Sequence, residues 1–228
     1  MSRGWLIVFG KVPQPGRVKT RLSPPLSLIQ SADLYAEMLA DVLEASLGFA
    51  ADLGLEPVLA FDPPEGLADI LPLVPAGFRL QAQRGTGLGE RMANAFAEAF
   101  GSGAERVLLR GSDSPAIGSK TFEDAMRFLD EGADIALSPD QGGGYAVVGM
   151  RSPHPELFNL PMSTERVLDQ TIQFSAAKKL RLEQTGSVFD LDVATDFQEL
   201  AAVEEEIQLD LCPRTVKAIS LLNSDGVL

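Results

Sequence analysis

Three short segments bring together residue types that bind phosphate and divalent cations. The segment Phe9-Gly10-Lys11-Val12-Pro13-Gln14-Pro15-Gly16-Arg17-Val18-Lys19-Thr20-Arg21-Leu22 carries four cations and no acid. A Gly/Pro-shaped loop presents backbone N–H groups, and Lys19 and Arg21 add a mobile charge and a bidentate fork for phosphate oxygens. Its glycine spacing is one residue too long for a P-loop, and Arg17 stands where that motif needs lysine. A solvated basic loop is the alternative. Cations crowded without local acids repel one another unless an anion is bound, which favours phosphate binding by Lys11, Gly16, Arg17, Lys19 and Arg21.

The second segment, Arg110-Gly111-Ser112-Asp113-Ser114-Pro115, follows the apolar run Val107-Leu108-Leu109. A carboxylate on such a turn reaches a divalent cation that bridges diphosphate oxygens, so Asp113 is the first candidate metal ligand, with Ser112 beside the phosphates. An Asx-turn or helix N-cap would use the same residues. In the third, Phe189-Asp190-Leu191-Asp192-Val193-Ala194-Thr195-Asp196, period-2 geometry puts Asp190 and Asp192 on one side of a strand. Acids crowded there are costly unless a cation or donors share them. Asp192, nearer the strand's end, is the second candidate ligand, while Asp196 suits the first turn of a helix.

Two glycine-rich stretches are weaker signals. In Asp140-Gln141-Gly142-Gly143-Gly144-Tyr145, either Gly143 and Gly144 let backbone approach a substrate with Tyr145 packing on a base or sugar, or the stretch is a hairpin turn. Gly85-Thr86-Gly87-Leu88-Gly89 is no dinucleotide fingerprint, since no acid follows a convincing strand at the right distance. It still suits covering a nucleotide, with Gln83 reading a base edge and Leu88 and Gly89 opening a helix. The single histidine, His154, lies in a loop between prolines, so a Ser/His or Cys/His nucleophile is excluded and catalysis must rest on carboxylates, cations and a metal.

The elements that position these segments alternate. Strands are expected at Trp5–Gly10, Glu56–Asp62, Arg106–Arg110, Asp134–Ser138, Tyr145–Met150 and Ser187–Val193. Helices are expected at Ala32–Ala51, from Leu88 through Phe100, and at Lys120–Glu131, Thr164–Lys179 and Asp196–Asp210, the last opened by a Thr195/Gln198 capping box. Glu204 to Glu206 reads as a solvated helix face, and Pro57–Pro75 as a loop-laden connection. Such alternation implies a three-layer α/β/α architecture around a mostly parallel sheet, Rossmann-like, with ligands outside the carboxyl ends of the strands. Without a linker, repeat or composition break, a single domain over residues 1–228 is expected.

Charge narrows the ligand. The chain of 228 residues has a net charge of −13, which argues against nucleic-acid binding. Residues 1–32 nevertheless hold five basic side chains, Arg3 included, and no acid. A basic island on an acidic chain points to a small anionic ligand. The lone Cys212, read as exposed, excludes an intramolecular disulfide and a multi-cysteine zinc site. No apolar run approaches the ~18 residues of a membrane span, and the start lacks a signal-peptide pattern, so a cytoplasmic setting is expected.

The blocks from Gly10 through Leu22, Leu88-Gly89-Glu90-Arg91-Met92, Gly111-Ser112-Asp113-Ser114-Pro115, Gly143-Gly144-Tyr145, Ser163-Thr164 with Val167-Leu168, and Asp190-Leu191-Asp192 resemble, in order, those of the DUF2064 family of glycosyltransferase-A-fold proteins. That family is also described as a transferase associated with radical-SAM and selenium domains, and is similar to 2-phospholactate guanylyltransferase. The resemblance covers about residues 5–200. It implies a nucleotide-diphospho-sugar transferase fold whose amino-terminal half binds a nucleotide. Lys19 and Arg21 would contact phosphates, and Asp113 and Asp192 would hold Mg²⁺ or Mn²⁺. The implied reaction is glycosyl transfer from a nucleotide sugar to a small-molecule acceptor. Nucleotidyl transfer from a nucleoside triphosphate to a phosphorylated acceptor is the alternative, and a non-catalytic nucleotide-binding protein is the third reading. A homodimer is admitted. The chain departs from the family pattern at Gly142, where an aspartate is expected, and at Gly87, where an acid is expected.

Overall fold

The computed structural model describes residues 4–203 and 205–227. The order of elements is β1 (Gly4–Lys11), α1 (Leu28–Leu53), β2 (Glu56–Asp62), α2 (Leu67–Ile70), β3 (Arg79–Ala82), α3 (Leu88–Gly101), β4 (Arg106–Gly111), α4 (Ser119–Asp130), β5 (Ile135–Pro139), β6 (Tyr145–Met150), α5 (Val167–Ala177), β7 (Leu182–Gln184), α6 (Asp196–Ala202), α7 (Glu205–Leu211) and α8 (Pro213–Ser224). Arg3 and Glu204 lie outside the described residues; Glu205 is exposed on α7.

In β1 every residue from Gly4 to Gly10 is buried, as an interior strand covered on both faces requires. The seven strands run β3-β2-β1-β4-β6-β5-β7. Pairing is parallel everywhere except along β6, which runs antiparallel to both β4 and β5. The Asp140–Gly144 stretch is therefore a tight connection between antiparallel neighbours, too short for the crossover a parallel pair needs.

Alternate residues of the strands feed opposite layers. Trp5, Ile7 and Phe9 pack with Met92, Phe96 and Phe158 on the α3 and α5 side. Leu6 packs with Phe49 and Phe122 of α1 and α4, and Val8 with Leu39 and Leu43 of α1. Helix α1 starts at a capping box absent from the expected elements: Gln30 N donates to Ser27 Oγ at 3.2 Å, and Ser27 N to Gln30 Oε1 at 2.9 Å. Its far side is covered too. Leu34 and Met38 share a cluster with Leu191, Leu200 and Cys212.

Several expectations need correction. Ser187–Val193 is not a strand; it is an extended segment pinned by single bonds, with Val188 N donating to Pro139 O and Leu191 N to Asp113 O. The sheet's last strand is instead β7, short, polar and lying at the edge. Residue pattern alone does not reveal it or β3, because neither buries a continuous apolar run. Thr195 is itself helical and makes no side-chain cap. The carboxylate of Asp196 instead reaches back along the chain, accepting from Asp192 N and Val193 N at 2.7 Å each. The acidic helix is two helices, α6 and α7, and α8 follows. Cys212 is buried, and burial beside Asp41 pushes its thiol up to about 12.

Candidate active site

A cleft of about 850 Å³ opens at the carboxyl ends of β1 and β4 and reaches the β5–β6 turn. The two acidic segments meet there because the backbone ties them together. Leu191 N donates to Asp113 O at 2.8 Å, and the Ser114 hydroxyl donates to Asp190 Oδ1. The turn is held from the sheet side by Arg110, fully buried, whose Nη2 donates to Ser114 O at 2.6 Å. Burial pushes the Asp190 carboxyl up to about 6; the carboxylates of Asp113 and Asp140 add to the rise and the Ser114 hydrogen bond opposes it.

The basic loop folds over this pair. Lys19 adopts the left-handed conformation (φ 45°, ψ 37°), and its neighbours Val18 and Leu22 are buried. Its amine is sunk between the acids, in ion-pair contact with Asp113 and 3.6 Å from Asp192 Oδ1. Arg21, largely exposed, pairs with Asp192 Oδ2. Lys19, Arg21, Asp113 and Asp192, far apart in sequence, thus form one cluster.

The other expected residues divide. Lys11, Arg17, Gln83, Leu88, Ser112, Gly144 and Tyr145 line the cleft. Gly16, Gly89 and Gly143 are not among the lining residues, and their reasons are structural. A Cβ on Gly89 would strike Phe158 O where α3 crosses the turn at 155–159. One on Gly143 (φ 83°) would strike Glu165 O, while Gly143 O itself accepts from Leu168 N. Gln83 commits its amide N–H groups to Ala60 O (2.8 Å) and Gly10 O (3.3 Å), so any base it touches meets its carbonyl oxygen. The Tyr145 hydroxyl is buried beside Thr171, and burial raises it to about 12. That hydroxyl is closed off from solvent. Asp140, displaced by two from the family's position, reaches back so that Gly144 N donates to its Oδ1 at 2.7 Å, and it lines the cleft.

Sequence reasoning missed Tyr35 and Arg91. Tyr35 looks like one more apolar position in the α1 stripe, yet its hydroxyl accepts from Lys11 N (2.9 Å) and pairs with Ser112 Oγ (2.8 Å), joining two turns that line the cleft. Arg91 lines the cleft and pairs with Asp62 at 2.7 Å. A basic residue in the first turn of α3, against the dipole preference for acids, was its one signal.

Among the described residues no group of three or more His, Cys, Asp or Glu is disposed to hold a metal. Asp113 and Asp192 nevertheless converge on one cation, Lys19 Nζ. Two carboxylates are the usual protein share of a Mg²⁺ site whose remaining ligands are phosphate and water, so the donor set fits a hard divalent cation.

The family described as "Uncharacterized protein conserved in bacteria (DUF2064)" has a model that matches residues 47–164, a span holding Asp113 and the β5–β6 turn. The chain belongs to the DUF2064 family. This DUF2064 chain is similar to a candidate nucleotide-diphospho-sugar transferase from Desulfovibrio desulfuricans G20, at 27% identity and TM-score 0.84 over 98% of this chain and 96% of the other. It shares its fold with a CMP:2-keto-3-deoxy-manno-octonic acid synthetase solved with CTP (12% identity, TM-score 0.56, 89% and 98% covered). A cytidylyltransferase from Leptospira borgpetersenii serovar Hardjo-bovis also shares it (11% identity, TM-score 0.55, 99% and 96% covered). No curated protein matches the chain. The fold of this DUF2064 protein is that of nucleotide-diphospho-sugar transferases and cytidylyltransferases, as its resemblance implies. No helix among the described residues is long and apolar enough to cross a membrane.

Proposed function

We propose that the protein transfers a glycosyl group from a nucleotide-sugar donor to a hydroxyl-bearing small molecule, with Mg²⁺ or Mn²⁺ held by Asp113 and Asp192. The observation that carries this reading is the convergence of Lys19 and Arg21 with Asp113 and Asp192 at the carboxyl edge of the sheet. A cation held by Asp113 and Asp192 would supply positive charge to offset the negative charge growing on the leaving diphosphate. Lys11, Arg17 and Arg21 orient those phosphates, while Gln83 and Leu88 bound the base end of the cleft. In the step itself, the acceptor hydroxyl oxygen bonds to the anomeric carbon, its proton passes to an oxygen of the departing phosphate, the sugar–phosphate bond breaks, and a nucleoside diphosphate leaves. Rate enhancement then comes from positioning and from charges already in place.

Nucleotidyl transfer is the second reading, and a specific observation favours it: five basic side chains, Lys11, Arg17, Lys19, Arg21 and Arg91, line the cleft, enough for a triphosphate. Against it stands the other end. The lining contributed by the β5–β6 turn and the segment 162–167 includes Asp140 and Glu165 and no basic residue. A phosphorylated acceptor would meet repulsion there, whereas a neutral hydroxyl compound would find hydrogen-bond acceptors.

Thermal unfolding with nucleotide sugars, nucleoside diphosphates and nucleoside triphosphates, each with and without Mn²⁺, tests the proposal. A ligand at 100 times its Kd adds ~2.7 kcal/mol. One nucleotide sugar should stabilise more than its own diphosphate, and only with metal. Preference for a triphosphate would replace glycosyl by nucleotidyl transfer. Binding without turnover toward any acceptor would support the non-catalytic reading.

A further inference from the structure

The geometry points to Lys19 as a resident cation that occupies the metal position until a phosphate ligand draws it away, so that the divalent cation and the nucleotide bind cooperatively. This inference rests on the reading that Asp113 and Asp192 take the metal.

The Lys19 side chain is 2% exposed, and its ammonium touches Asp113 and approaches Asp192, with no further partner among the described residues. An ammonium carries three donors, and a buried charge that serves only architecture is normally saturated by them. The contrast within the molecule is Asp41, also buried. It accepts from Thr215 N and Oγ1 (2.8 Å each) and from Arg214 N (3.3 Å) and Nη1 (3.2 Å). Lys19 is held by two carboxylates alone, and these acids remain partly open to the cleft, 53% for Asp113 and 37% for Asp192.

The backbone around Lys19 is anchored, so any movement of the ammonium falls to its side chain. Left-handed φ is rare for a lysine, and the conformation is imposed by buried Val18 and Leu22 on either side and by Leu22 N donating to Lys19 O. A fixed backbone leaves the four-carbon stem to swing the ammonium between carboxylates and phosphate. Arg17 and Lys11, which line the same cleft, extend the anion-attracting surface toward which it would turn. An ammonium and a divalent cation cannot share two carboxylates without strong repulsion at such short range. Each therefore excludes the other until a diphosphate offers the ammonium new oxygens. A ligand that removes a competitor raises the affinity of the second, and the coupling is reciprocal.

The test is Mn²⁺ binding to purified, nucleotide-free protein, followed by the EPR signal of free Mn²⁺. Lys19→Met keeps the stem and removes the charge, and should bind Mn²⁺ roughly tenfold tighter than the unmodified chain. Lys19→Gln should gain similarly, which separates charge from shape, and Asp113→Asn in the Lys19→Met background should abolish the gain. Circular-dichroism melts establish that each variant is folded. Equal Mn²⁺ affinity in the unmodified chain and Lys19→Met, with both losing it on Asp113→Asn, would overturn the resident-cation role and leave the metal site standing. Binding by no variant would overturn both.

Discussion

Arg110 and Lys19 are buried cations on two sides of one turn, and they are held in opposite ways. Arg110 reaches the turn from the sheet and gives its donors to neutral oxygens: Ser114 O at 2.6 Å, Gly111 O at 3.2 Å and Ser46 Oγ at 3.4 Å, with the Phe122 ring centroid 5.5 Å from its guanidinium carbon. Burial lowers its pKa to about 9, opposed by the field of Asp190, so it stays charged at neutral pH. Lys19 reaches the turn from the cleft, and its partners are two carboxylates rather than neutral oxygens. The cation that builds the turn is satisfied by groups that cannot leave. The cation that faces the ligand is satisfied by groups a ligand can replace.

The strongest way to break this contrast is at the acid between them. Asp113→Asn should lower kcat about 10²- to 10³-fold with a smaller change in the urea midpoint than Arg110→Met, because its side chain is half exposed and Asp192 remains beside the Lys19 ammonium. A midpoint shift as large as that of an Arg110 variant would make Asp113 a structural residue. Arg110→Met should do the reverse, lowering unfolding free energy by about 3 kcal/mol in urea titration, since Ser114 O and Gly111 O lose their buried donor. An unchanged midpoint would show that the guanidinium contributes nothing.

Asp190 sharpens the comparison through pH. Its folded pKa, about 6, lies above the ordinary 3.8, so the folded state holds the proton more tightly. The associated stability is complete below pH 3.8 and is lost as pH rises toward 6. Asp190→Asn should therefore gain on the unmodified protein across that window, by at most about 1.4 kcal/mol per pH unit. Urea titrations at pH 4 and pH 7 check it; a gap that does not widen with pH would contradict the buried carboxyl. The smallest effect is expected at Arg21→Gln. That residue is 71% exposed, so stability should move by less than about 0.5 kcal/mol, while KM for the donor rises. An unchanged KM would remove Arg21 from the phosphate site.

What could be read from sequence was what carries a long period or a dense cluster. Strand β1, helix α3 and the basic loop declared themselves because burial on both faces, a 3.6-residue stripe and cations without acids leave few alternatives. Asp113 and Asp192 were legible as residues, but their meeting was not. It depends on Leu191 N reaching Asp113 O and on Ser114 reaching Asp190, bonds between segments nearly eighty residues apart. The misread strand at Ser187–Val193 has the same origin, because alternating residues look identical whether a ladder or two isolated bonds hold them extended. Tyr35 escaped notice because a tyrosine inside an apolar stripe differs from a leucine only by an oxygen whose partners lie on other elements. Gly143 is legible by the correct property, close approach, although what approaches it is the chain's own backbone, and Gly89, expected only to open a helix, meets Phe158 O in the same way.

The packing of Leu191 carries a consequence for synthesis. Leu191 lies between the two acids of its segment and is buried in one cluster with Leu200 and Cys212. A growing chain folds from its amino-terminal side, so the strands through β6 and Asp113 can assemble while that cluster, which also holds Leu22 of the basic loop, is still being made. On the ribosome the protein would pass through a stage with its sheet formed and its Asp192 unanchored. The centre is completed only when the carboxyl-terminal helices close over α1.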